Sequence, residues 1–228
     1  MKASLDTNVI IHFYRAGLQN DLFELFSDGV LIYEQIRKIE LVNHGKDILD
    51  SVDRDISLGK ITLFSDEDLR SISVYNLFQR RVQENRILYQ PRDLGEVYAI
   101  SLAQTLGAYS LVTDDIKQGG PYMSLLQMDD YDLLPFSFAD VLFLRFMFGL
   151  DDAELTIEKF SNINDASGMN WSFGSHLKRF INRFWMDPYK NEEKQWMRDA
   201  AEKYGFSPKS RLKQLNSAYK KRINGHHN

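Results

Sequence analysis

The chain has 228 residues, 43% of them apolar and 26% charged, with 5 prolines and 13 glycines. That length supports one large core, or a domain with an extension, and the balance excludes wholesale disorder and fibrous repeats. There is no cysteine, which removes disulfide frameworks, thiolate zinc sites, iron–sulfur clusters and cysteine nucleophiles; any metal would be held mainly by oxygen, or by one of 5 histidines.

The net charge of −4 hides an asymmetry. Residues 1–175 carry 15 Lys and Arg against 27 Asp and Glu, whereas residues 176–228 carry 13 against 5. An acidic body with a basic C-terminal segment suggests two different roles, and a basic segment is a candidate for contact with a polyanion. The opening MKASLDTNVI reaches Asp6 after a single lysine, which does not read as a secretory signal. The most apolar stretch, 136–150, is interrupted by Asp140 and Arg145 and falls short of the ~20 residues a bilayer requires. The expectation is a cytoplasmic protein with no membrane association.

In chain order, Lys2–Leu5 reads as a short strand that breaks at Asp6-Thr7-Asn8, with helices over 9–15 and 21–26. From Val30 to about Leu58 the apolar residues Ile32, Ile36, Ile39, Val42, Leu49, Val52 and Ile56 recur at mostly helical spacing, with a break at His44-Gly45. Lys60–Phe64 reads as a strand, and Ser65 with Asp68 as the entry to a helix continuing to Ile87. Pro91-Arg92-Asp93 precedes a helix over 94–106, Gly107 stops it, and 109–113 reads as a buried strand ending at Asp114-Asp115. A strand near 131–135 and a helix entered at Ser137 follow. Strands alternating with helices predict an α/β domain with a mainly parallel sheet over 1–150. Residues 151–228 carry only helical patterns, near 152–162, 173–185, 190–204 and 209–223, and read as an all-helical basic extension.

In a parallel α/β sheet, ligands gather at the carboxyl ends of strands. Asp6 and the pair Asp114 and Asp115 fall on such ends, Glu96 lies in the first turn of the helix before the second of them, and Glu40 sits among apolar neighbours in the early helix. Convergent carboxylates repel one another unless a cation intervenes, and Mg²⁺ or Mn²⁺ is the type that oxygen ligands suit. Each acid also has a plainer role: Asp6 as a helix cap, Glu96 as the far half of a capping box begun at Asp93, Asp114 and Asp115 as turn residues, and Glu40 as a half-exposed helix residue. The case rests on the constellation.

The segments LDTNVII, LGEVYAISLA and LVTDD, in that order, resemble the PIN-domain family of metal-dependent nucleases, and are closest in motif to the toxin ribonucleases of bacterial toxin–antitoxin modules. The resemblance covers about residues 1–150. It implies a three-layer α/β/α domain that hydrolyses phosphodiester bonds in RNA, less often in DNA, with Mg²⁺ or Mn²⁺. Residue by residue, it maps the family's acids onto Asp6, onto Glu40 in IEL (with Glu34 as a nearby alternative), onto Glu96, seven residues before Ala103, and onto Asp115 of Thr113-Asp114-Asp115. Asp114 is left as an auxiliary ligand, and Asn8 and Thr113 as supports for the ligands. An antitoxin protein and a homodimer are further implications. Two features depart from the toxin pattern: Glu96 stands where that branch has Asp, and residues 151–228 run past the usual domain end.

Metal-activated water needs no histidine or cysteine nucleophile, which suits this composition. An acidic pocket repels a polyanion, so a separate basic surface would help; Lys178, Arg179, Arg183, Lys209, Arg211, Lys213, Lys220, Lys221 and Arg222 are the candidates. Trp171, Trp185 and Trp196 offer either stacking faces or core. A catalytically silent binding or scaffold module is the alternative, and the C-terminal helices could equally form a protein interface. Phosphatase chemistry usually wants a second acid two residues after the first, and position 8 is Asn. No Gly-x4-Gly-Lys sequence is present, which excludes a phosphate-loop NTPase.

Overall fold

A computed structural model describes residues 1–88, 94–127 and 133–225. The chain divides into two compact units, Met1–Phe138 and Ala139–Asn228. The first is an α/β unit around a five-stranded, wholly parallel sheet in the order β3-β2-β1-β4-β5.

Strand β1 (Lys2–Leu5) is buried over Ala3–Leu5 and ends at Asp6, whose extended backbone turns the chain into α1 (Thr7–Arg15). Helix α2 (Gln19–Leu25) then leads to β2 (Gly29–Tyr33). The run Val30-Leu31-Ile32-Tyr33 is therefore a strand, not the start of the helix its spacing predicted. A central strand of a parallel sheet is buried on both faces, so it shows a continuous apolar run with no alternation, and periodicity cannot separate that from helix. The rest of the expected long helix is also divided. A single π-helical turn (Ile36–Glu40) and a 3₁₀ turn (Leu41–His44) precede α3 (Lys46–Ser57).

Strand β3 (Ile61–Phe64) lies where it was expected, and the Ser65/Asp68 capping box that starts α4 (Asp66–Ser71) forms in both directions. The predicted continuous helix breaks at Ser73, which takes a left-handed φ of 61°, before α5 (Tyr75–Leu88). Helix α6 (Leu94–Leu106) packs on β1, β2 and β4, and Gly107, at a φ of 62°, ends it. Strand β4 (Ser110–Val112) follows; α7 (Pro121–Gln127), which the pattern did not announce, leads to β5 (Leu134–Phe136). The proposed Asp93 cap, and positions 131–132 of the expected strand, lie outside the described residues. The sheet core includes Leu5, Val9, Phe13, Ile32, Val97, Ile100, Leu111 and Phe136, all essentially inaccessible. Burying each large side chain contributes about 1.5–3 kcal/mol.

The second unit is helical: α8 (Phe138–Met147), whose first residue closes the first unit, α9 (Ala153–Ala166), α10 (Phe173–Ile181) with a π turn over Asn182–Met186, α11 (Asn191–Tyr204) and α12 (Pro208–Gly225). Phe143 packs edge-on against Phe173 and Phe180, with ring centroids 5.3 and 5.4 Å away. Two buried ion groups accompany this apolar core. Asp151 accepts from Arg145 at 2.8 and 3.1 Å and from Lys159 at 3.0 and 3.1 Å. Arg183 donates to Glu193 Oε1 at 2.8 Å through Nε, its Nη2 lies 2.6 Å from the same oxygen, and Asp140 is 3.9 Å away. No helix of the described residues is long and apolar enough to cross a membrane.

Candidate functional site

The strand order decides where a site can form. From β1 the chain steps outward to β2 and β3, then returns to β4 on the other side of β1. Such a reversal opens a crevice at the carboxyl ends of the two strands that flank it, here β1 and β4. Their registers match Leu5 to Val112, and the Asp6 N–H donates to the Val112 carbonyl at 2.9 Å. Asp6 and Thr113 consequently leave neighbouring strand ends side by side.

Asp6 is buried and serves as the cap of α1, where its Oδ1 accepts the Thr7 N–H at 2.7 Å. Its other oxygen, Oδ2, accepts the Thr113 hydroxyl at 3.1 Å. The Thr7 hydroxyl in turn donates to Glu40 Oε2. A hydrogen-bonded line Thr113–Asp6–Thr7–Glu40 thus joins β4, β1, α1 and the π turn.

Glu40 reaches this line because its turn is anchored from behind. Arg37, three residues earlier, grips Asp53 of α3 through Nε at 2.5 Å and Nη2 at 2.6 Å. That fork raises the guanidinium pKa, chiefly by the hydrogen bond to Asp53. The Glu40 carboxylate also lies against Gly95 in the first turn of α6, so closely that a Cβ at position 95 would collide with both carboxylate oxygens. Gly95 is therefore the space into which Glu40 fits, and Glu96 is the next residue, buried among the apolar residues of α6. Glu34 points its bonds elsewhere, to Lys38 and to the Asp66 N–H.

The two acids after β4 differ. Asp114 is engaged at both oxygens, Oδ2 with His12 Nδ1 at 2.6 Å and Oδ1 with the Phe138 N–H at 2.7 Å. Asp115 is half-buried; its N–H donates to the Thr113 hydroxyl at 3.2 Å, while Oδ2 pairs with Lys117 at 2.6 Å. Its carboxylate also lies so close to Gly120 that a Cβ there would meet Oδ1 at 2.7 Å. Asn8 is exposed in the first turn of α1 and takes no part in the hydrogen bonds just described.

Of the residues the sequence singled out, hydrogen bonds join Asp6 to Thr113 and Thr113 to Asp115, and Glu40 to Thr7. Three further residues that the sequence left unmarked take part in this arrangement. Thr7 bridges two acids, Gly95 makes room for one, and His12 holds another. Gly95 alone left a trace, as the small residue directly before a buried acid at a helix start.

As a cation site the group is consistent in donor type, since every candidate ligand is a carboxylate oxygen and hard divalent ions favour oxygen. Among the described residues, however, no three His, Asp or Glu side chains are gathered closely enough to hold a metal ion. The acids are instead linked through the Thr7 and Thr113 hydroxyls and, for Asp115, held by Lys117.

The basic candidates separate as well. Arg183 was expected at a polyanion surface but is fully enclosed, neutralised by Glu193 and stacked 4.5 Å over the Phe184 ring. It is a core residue, because an arginine with a buried carboxylate partner packs its long stem at no uncompensated charge. Arg211 lies half-buried over the Phe146 ring at 5.1 Å. Lys178, Lys209, Lys213, Lys220, Lys221 and Arg222 are exposed, and Arg179 is half-buried. Trp171 stacks on His176 at 4.4 Å, and Trp196 packs on Phe184 and Phe148.

No protein-family model matches the chain, and neither the curated proteins nor the solved structures contain a significant match.

Proposed function

We propose that this chain is a Mg²⁺- or Mn²⁺-dependent endoribonuclease with a PIN-like α/β/α domain. The supporting observation is the hydrogen-bonded line that links Thr113, Asp6, Thr7 and Glu40 at the crevice between β1 and β4, with Gly95 against the Glu40 carboxylate. The three-layer arrangement follows from right-handed crossovers, which place the connections of β1-β2-β3 on one face of the sheet and those of β3-β4-β5 on the other. Asp6, Glu40, Glu96 and Asp115 would hold the cation. A divalent ion held by these carboxylates would supply a water of lowered pKa and a counter-charge for the phosphate.

The chain's own groups prepare the rest. Thr113 and Thr7 orient the Asp6 and Glu40 carboxylates by hydrogen bonds, as residues around metal ligands commonly do. Gly95 lets Glu40 approach the start of α6. Lys117 pairs with Asp115 and balances its charge. The motif resemblance extends the reading to a toxin restrained by an antitoxin protein, with RNA as the substrate.

The second reading, a catalytically silent module that acts through binding, is favoured by the absence of a gathered three-ligand set among the described residues. Cleavage of a mixed single-stranded and structured RNA panel in Mg²⁺, Mn²⁺ or EDTA separates the two. The nuclease reading expects metal-dependent cutting that disappears in Asp6→Asn. Cutting that survives the substitution would place the chemistry elsewhere, and a folded, metal-replete wild type that never cuts would favour the silent module.

A further inference from the structure

Helix α12 is docked by one face and cationic on the other. Leu212, Leu215 and Ala218 are buried, which turns Lys209, Lys213 and Lys220 outward, and all three lysines are exposed. They stand four and seven residues apart, both helical repeats, and so share one stripe about 16 Å long. Ser217 and Asn224 beside them are exposed, polar and uncharged. The last acid of the chain is Glu202, so α12 itself holds no counter-charge. Among the described residues no carboxylate pairs with any of the three lysines. The neighbouring cations differ. Arg211 lies over the Phe146 ring. Lys221 lines a cavity with Asp152 and Glu154, Arg222 one with Asp165, and Lys178 one with Asp187.

The stripe works against the helix that carries it. Lys209 and Lys213 repel each other at a spacing of four. Lys209 also stands in the first turn, where the helix dipole favours an acid and none is present. An anion laid along the stripe would offset both effects.

We infer that this stripe docks the phosphate backbone of base-paired RNA. A row of evenly placed ammonium groups matches a polymer of evenly placed charges, and each phosphate it neutralises releases counterions. Lysines interleaved with small polar side chains suit phosphates and 2′-hydroxyls, the groups through which duplex RNA is held by shape. The stripe carries no aromatic ring on which an unpaired base could stack, as single-strand binding commonly requires. A folded acidic partner fits less well, because protein interfaces centre on apolar and aromatic side chains and are depleted in lysine. A lipid surface fits less well too, since interfacial helices bury their apolar face in the bilayer, whereas that of α12 is already buried in its own unit. The choice of RNA rests on the ribonuclease reading, whose substrate it narrows to one with a base-paired segment.

The test is fluorescence anisotropy of a labelled RNA duplex with the full chain in EDTA. The wild type should bind the duplex more tightly than a single strand of equal length. Replacing Lys209, Lys213 and Lys220 together by Gln should weaken binding about tenfold or more and lower the slope of log affinity against log salt by about 2.7. The variant should melt at or slightly above the wild-type temperature, since like-charge repulsion is relieved, and Arg at the three positions should restore binding. The charge-matched control, Gln at Lys178, Lys221 and Arg222, should lose much less. A wild type that ignores duplex RNA or prefers the single strand would overturn the proposal. So would an equal loss in the control, or equally tight binding of polyglutamate or of phosphatidylserine vesicles. Because EDTA suppresses metal-dependent cutting, the two readings fail separately. A wild type that cuts RNA but binds duplex without regard to the three lysines keeps the nuclease and loses the docking stripe. The reverse pattern keeps the stripe and loses the nuclease.

Discussion

Gly95 is the residue whose substitution reports most directly on the geometry of the site. An alanine there would drive its Cβ into both Glu40 oxygens, so the carboxylate must swing away and release Thr7. The obstructing atoms are the tip of a flexible side chain, and alanine is favoured over glycine in a helix by about 1 kcal/mol. Gly95→Ala should therefore melt at or slightly above the wild-type temperature while metal-dependent RNA cleavage falls about tenfold or more. Melting curves alongside cleavage rates check this; full activity in a folded variant would remove Glu40 from the mechanism. At this scale the sequence was informative about where these acids fall, because an acid at a strand end or helix start is a local feature. It was silent on Thr7 and His12, whose roles depend on partners 33 and 102 positions away.

Among elements, capping and buried charge give stability effects of different size. The Ser65 hydroxyl accepts the Asp68 N–H at 3.1 Å, and the Asp68 carboxylate accepts the Ser65 N–H at 2.8 Å, on an exposed helix start. Ser65→Ala should cost about 1 kcal/mol. Asp151→Asn should cost more, about 3–5 kcal/mol, because it strands the buried Arg145 and Lys159 without their anion. Urea unfolding of the two variants orders them, and equal losses would mean that water reaches the Asp151 group. The two features were unequally legible. The capping box is a four-residue signal, and its pattern alone announced it. The ion triad draws on residues 145, 151 and 159 across two helices, and helical periodicity marks none of them as partners. The same contrast explains β2: its four apolar residues are strand-like only because β1 and β3 flank them.

Across the whole molecule, pH acts on the second unit in two directions. For Asp151, burial alone would raise the carboxyl pKa, but hydrogen bonds and charges from Arg145 and Lys159 outweigh it and lower the pKa below the usual 3.8. Its stabilisation is present above that value and is lost as the pH falls through the lowered one. For Glu193 burial prevails over the Arg183 charge and raises the pKa above 4.5. The folded state then holds that proton more tightly than the unfolded chain does, so this contribution is full below 4.5 and declines as the pH rises through the raised value. Melting temperatures against pH should accordingly show the wild-type advantage over Asp151→Asn shrinking below pH 3.8, and that over Glu193→Gln shrinking above pH 4.5. Parallel curves for wild type and either variant would contradict the assignment for that residue.

The chain by itself determined the α/β character of its first part, the helical character of its last, the reversal of charge between them, and the acids at the ends of β1 and β4. These are properties of composition, of short-range periodicity and of punctuation by Asp, Ser and Gly, and they need no knowledge of what lies opposite. The tertiary structure decided the rest. It set β1 between β2 and β4 and so made neighbours of Asp6 and Thr113. It used Arg37 and Asp53 to hold the turn that carries Glu40 against Gly95. It withdrew Arg183 into the interior while leaving Lys209, Lys213 and Lys220 on the outer face of α12. Those outcomes depend on distances between residues far apart in the chain, and such distances are fixed by packing.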